Sequence, residues 1–143
     1  MPVTAPRTTV QTAKTIRMIH ASLLFGVVLF AIVGYFLLRP ALAGGAPLPA
    51  VLVPALLGLS LVLFGIALLF VNRVPRRSTD ASADLFWSTA ATPALIAWAP
   101  LQMAGLIAVF LYAQTGSSLP ITIAAVAIVL MAVLRPGHFE RRR

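Results

Sequence analysis

Residues 18–38 read MIHASLLFGVVLFAIVGYFLL. These twenty-one residues carry no charge, and as a helix rising about 1.5 Å per residue they reach about 31 Å, the thickness of a bilayer's hydrocarbon core. A helix in water needs one polar face, and this stretch has none. The same holds further along. Arg39 is the only charged residue between Met18 and Asn72, and residues 85–134 contain no Asp, Glu, Lys or Arg. Lipid is therefore the predicted solvent of most of the chain.

Working outward, four apolar spans are predicted, at residues 18–38, 51–71, 94–112 and 119–134. Arg39-Pro40 is expected to end the first. Pro54 falls in the first turn of the second, where a missing amide costs little. Pro93 and Pro100 are expected to kink the third or mark its start. The fourth has sixteen residues and spans only about 24 Å, so it should cross with little tilt. Residues 72–92 form the main polar loop, with Ser78, Thr79 and Asp80 as candidate N-caps of a helix starting there and Leu85, Phe86 and Trp87 as an interfacial anchor leading into the bilayer. Residues 1–17 and 135–143 are basic tails. The fold class is all-α: a four-helix transmembrane bundle built as two helical hairpins. Gly26 and Gly105, each in the middle of an inward-starting span, are consistent with an old duplication.

Basic residues set the orientation. The N-terminal tail holds Arg7, Lys14 and Arg17, the middle loop Arg73, Arg76 and Arg77, and the C-terminal tail Arg135, Arg141, Arg142 and Arg143, against Arg39 alone on the other side. N and C termini are thus expected in the cytoplasm of a bacterial cell, with the chain multi-pass in the inner (plasma) membrane. Tyr35 and Tyr112 then fall together at the outer interface and Trp87 at the inner one, as aromatic belts require. Ala41-Leu42-Ala43 has the form of a signal-peptidase site, but the apolar run before it is longer than the roughly 7–15 residues of a signal core. The first span is read as retained.

The net charge of +8 is read as lipid contact and orientation. No basic groove with interleaved aromatics points to nucleic acid, so no nucleic-acid partner is expected. The arginine groups Arg73, Arg76, Arg77 and Arg141, Arg142, Arg143 suit anionic headgroups, at about 1 kcal/mol per residue, or a partner's acidic surface.

Chemistry within the spans is sparse. Cysteine is absent, which removes disulfides and thiolate metal sites. Nucleotide-binding, zinc and hydrolase signatures are missing, and the chain is not expected to be an enzyme. His20 is the one ionisable side chain other than tyrosine inside a span. Its plainer reading is a histidine bonded to water, lipid or a carbonyl at headgroup depth. The functional reading is axial ligation of a haem or a chlorophyll-type pigment, or proton relay. With no intramembrane carboxylate or lysine and no second pair of histidines, ion-driven rotor subunits, four-helix multidrug exporters and two-haem cytochromes are excluded by composition. Gln102, near mid-membrane, is expected to bond to Ser60 at similar depth or to the backbone freed by Pro100. Gly58, Gly65, Ala124, Ala125 and the Ala104-x-x-x-Ala108 pair are candidate sites of close helix approach.

The runs TIRMIHASLLFGVVLFAIVGYFLL and ALIAWAPLQMAGLIAVFLYAQTG, with a closing LRP, resemble a group of small bacterial four-helix membrane proteins. That group is in turn loosely similar to the tandem-hairpin rotor-ring subunits of ATP synthases. The resemblance covers most of residues 15–136 and implies a four-helix fold. It also implies a carboxylate in the third helix, where this chain has Gln102, so it does not carry ion translocation with it. The function expected is a non-catalytic accessory or scaffolding subunit of a larger membrane complex, energy-transducing or photosynthetic, touching lipids and other membrane subunits. The alternatives are a pigment- or haem-binding subunit using His20, and a small transporter or rotor-like ring subunit.

Overall fold

The computed structural model describes residues 9–78 and 81–140, with side chains from residue 13 onward. Arg7, the candidate caps Thr79 and Asp80, and Arg141, Arg142 and Arg143 lie outside the described residues. Every regular element described is helical. Helix α1 (Thr9–Val33) continues through a π-helical turn (Gly34–Leu38) into α2 (Arg39–Leu42). Then come α3 (Leu52–Val71), α4 (Ala83–Thr115), α5 (Ser118–Val133) and a short α6 (Pro136–Phe139). Three of these helical stretches are long and apolar enough to cross a membrane: residues 13–42, α3 and α4. The fourth apolar helix, α5, is shorter at 16 residues.

Helix α4 is the hub. It packs against α1, α3 and α5, whereas α1 and α3 scarcely touch each other. Its buried residues therefore run almost all round it, and Ala94, Ala97, Leu101, Ala104 and Ala108 are fully enclosed. Helices α1 and α3 bury little of their length, and Phe25, Phe36, Leu61 and Leu69 are all over 60% exposed. In water such a surface would aggregate, and in lipid it is solvated. A hub of small side chains is what bilayer packing favours, because greasy surfaces gain nothing by leaving lipid and helices must be drawn together by close fit.

Glycine supplies that fit at the α1–α4 crossing. A Cβ built on Gly105 would lie 2.7 Å from Cγ2 of Val27 and 3.3 Å from Cβ of Ala127. Gly34 faces the side chain of Val109 still more closely, and Gly26 makes room for the amide of Gln102. Gly58 and Gly65, expected at close contacts, instead face open space.

Two boundaries differ from the sequence expectation. The first helix does not end at Arg39-Pro40 but runs to Leu42. Proline lacks an amide hydrogen, and its ring collides with the carbonyl four residues back. The preceding turn widens so that the Arg39 N–H reaches the Gly34 carbonyl, five residues away, and Pro40 fits without breaking the chain's course. Helix α4 begins at Ala83, shortly after the expected caps, and passes Pro93 and Pro100 as one helix of 33 residues, so neither proline marks its start. Its N-cap is Ser82, whose hydroxyl accepts from the Leu85 N–H at 3.2 Å, so Ser78 does not cap it. The polar loop correspondingly shrinks. At its far end α4 stops at Gly116, whose φ of 66° is the left-handed cap conformation that glycine adopts freely. Only Gly116 and Ser117 separate α4 from α5, so the two run antiparallel as neighbours.

Candidate functional site

Apart from Ser60 and Gln102, the interacting polar side chains of the bundle gather at its two ends. The first end collects the start of α1, the start of α4 and the C-terminal turn. Helix α5 finishes there at Val133, leaving carbonyls with no further turn of helix to accept from. His20 reaches across from α1 and donates Nε2–H to the Met131 carbonyl at 2.9 Å. Trp98 of α4 donates its indole N–H to the Leu134 carbonyl at 2.9 Å. The rings of His20 and Trp98 meet edge to face with centroids 4.7 Å apart, and Phe139 closes the other side of Trp98. Two side chains from two other helices thus cap the short fourth one.

Just beyond, Glu140 ties the C-terminal turn down. Its carboxylate accepts from Arg17 Nη2 at 2.6 Å and from Trp87 Nε1 at 2.7 Å. Burial opposes the charge on Glu140, but the hydrogen bonds from Arg17 and Trp87 and the fields of Arg17 and Arg77 outweigh it and hold the carboxyl below its ordinary value. Asp84 accepts from the Ala13 N–H at 3.4 Å, joining the starts of α1 and α4. Beside this contact an open groove of about 430 Å³ runs along Ala13, Lys14, Arg17 and Asp84. Arg77 donates to the Ala81 carbonyl at 2.8 Å, and Arg73 lies over the Phe70 ring. Arg76 is exposed.

At the opposite end Arg39 donates to the Tyr112 hydroxyl and stands 4.9 Å from that ring's centroid. Tyr35 stacks on Tyr112 with planes 7° apart. The two tyrosines therefore meet, as expected for a shared interface, while Trp87 lies at the far end of α4.

Of the residues singled out from sequence, Ser60 and Ala104 are fully buried. Ala108 shares an apolar cluster with Val109 and Ala124 of α5. Ser60 and Gln102 are not brought together. The Ser60 hydroxyl donates to the Leu56 carbonyl one turn back in its own helix at 3.0 Å, and Gln102 turns to Gly26 of α1. Trp98, Met131 and Glu140 were not foreseen. Only an unusually short apolar helix ending near two N–H-bearing rings could have pointed to the first two.

Among the described residues no group of three or more His, Cys, Asp or Glu side chains could hold a metal ion. His20 is 5% exposed and already uses one ring nitrogen, so ligation of a pigment through Nε2 would leave the Met131 carbonyl unpaired. Comparison with models of known protein families, with curated proteins and with solved structures gave no match.

Proposed function

We propose that this chain is a non-catalytic accessory subunit that packs beside other proteins in a bacterial inner membrane, with both termini in the cytoplasm. One observation carries the proposal. His20, Trp98, Trp87, Glu140, Arg17, Arg39 and Tyr112 are all spent on bonds that hold this chain's own helix ends together. Side chains used this way build a rigid body rather than a reaction centre. The cleft between α1 and α3 is lined by apolar residues, which supports neither a polar substrate path nor an ion route.

The orientation follows from the basic residues. Arg17, Arg73 and Arg77 belong to the end that also holds Glu140, and Arg39 to the other, so the positive-inside rule puts the Glu140 end in the cytoplasm. Purification of a tagged copy from native membranes in mild detergent should bring down one or more membrane proteins in fixed ratio. Recovery of this chain with lipid only would overturn the proposal.

A further inference from the structure

The open groove at the Glu140 end of the bundle carries both signs of charge at the edge of the apolar region. Lys14 and Arg17 line it from α1 and Asp84 from α4, around about 430 Å³. Arg17 is already neutralised, because its guanidinium meets the Glu140 carboxylate at 2.6 Å. Lys14 and Asp84 border the same groove, yet among the described residues neither forms an ion pair. Asp84 accepts the Ala13 N–H through Oδ1 at 3.4 Å. That contact ties the two walls together and leaves the other carboxylate oxygen unbonded among the described residues. Along α1 the row that starts at Lys14 then turns apolar and stays open. Met18 is 61% and Phe25 66% exposed, with exposed Ala21 between them. Positions 14, 18, 21 and 25 share one face of a helix. A cation and an anion therefore stand at the head of an apolar lane on the outer side of the bundle.

We propose that this groove is a binding site for a phospholipid with an ethanolamine head, its phosphate on Lys14, its primary ammonium on Asp84 and an acyl chain along Met18, Ala21 and Phe25. The charges select the head. With Arg17 spent on Glu140, one positive and one negative group remain open, and a zwitterion satisfies both. A head that is only anionic gains from Lys14 but is repelled by Asp84. A primary ammonium brings three N–H donors to a carboxylate, as a lysine does. The trimethylated ammonium of a choline head has no N–H to donate, and a glycerol head has no cation at all. The lysine stem lies along apolar surface while its charge stays at headgroup level. Such binding needs only that α1 stands in lipid, and it holds whatever protein partner the chain joins.

The purified full-length chain can be offered equimolar phosphatidylethanolamine, phosphatidylcholine and phosphatidylglycerol with identical acyl chains. Native mass spectrometry then reads which lipid stays bound as detergent is stripped. Exposed charge pairs contribute modestly, so the ethanolamine lipid should be retained about two- to fivefold over each rival. Asp84→Asn keeps an oxygen for the Ala13 N–H but removes the charge. It should abolish the preference over the choline lipid and bring the glycerol lipid forward. Lys14→Gln changes an exposed side chain and should lower retention of the ethanolamine lipid by a similar factor. Arg76→Gln, exposed and outside the groove, should leave the order of the three lipids unchanged. Equal retention of all three by wild type, a wild-type preference for the glycerol lipid, an ethanolamine preference that survives either groove variant, or an equal loss with Arg76→Gln would each refute this site.

Discussion

The Cα of Gly105 faces Val27 so closely that one added methyl would stand 2.7 Å from the valine's Cγ2. The α1–α4 crossing is set by this missing side chain. Gly105→Ala should destabilise the bundle by about 1–3 kcal/mol, as overpacking of a filled core does. Val27→Ala on the same background should recover much of the loss. Thermal unfolding in one detergent, followed by circular dichroism as a double-mutant cycle, measures the coupling. Simple additivity would refute the contact.

His20→Leu keeps the volume at that site but leaves the Met131 carbonyl buried without a donor. The expected cost is about 1–3 kcal/mol. Trp98→Phe should cost a similar amount through the Leu134 carbonyl. His20→Gln, which restores an N–H, should fall between wild type and His20→Leu. If all three variants melted together with wild type, the helix-capping role of these rings would be excluded.

Glu140 gives the fold a pH dependence of known sign. The Arg17 and Trp87 hydrogen bonds and the nearby guanidinium charges outweigh burial and hold its carboxyl below the ordinary carboxylate range, so the ionised form favours the folded state. This stability is fully present above the unfolded value and is lost as pH falls through the folded one. The Arg17 side chain is 57% exposed, so solvent screening limits the pair to under about 1 kcal/mol. A melting series from neutral pH into the acid range should fall more steeply for wild type than for Glu140→Gln. Parallel curves would remove Glu140 as the cause.

Pro40 is the reason the preceding turn is wide. Pro40→Ala should let that turn close to regular α-helix and rotate Arg39 by about 100° away from Tyr112. The coupling between Arg39→Ala and Tyr112→Phe, which reports the bond to the hydroxyl because phenylalanine keeps the ring, is expected at about 0.5–1.5 kcal/mol and should then vanish. Persistence of that coupling in the Pro40→Ala background would show that the bulge has another origin.

Apolar length made the first, second and fourth helices readable, because in a bilayer every backbone group must be bonded within its own segment and a long greasy run can do little else. The pairing of Tyr35 with Tyr112 was readable for the same reason, since depth follows from residue count. The start of α4 was readable to within a few residues from the cap candidates, but its continuity was not, because Pro93 and Pro100 are breakers by local rules and the helix runs through both. That His20 could bond a carbonyl was among the readings its sequence allowed, but which carbonyl was hidden. It depends on where α5 ends, and the bond goes to a backbone carbonyl that no side-chain pattern announces. Ser60 and Gln102 share a depth but not a direction, and depth is all that counting residues along a span can give.

The hub arrangement also orders the making of the protein. Synthesis delivers α1 and α3 first, and these two have little surface in common. Each must wait as a lone hairpin limb dispersed in lipid until α4, the third long helix to emerge, arrives to gather them. A chain cut off in the loop after Val71 would lack the helix through which α1 and α3 are joined.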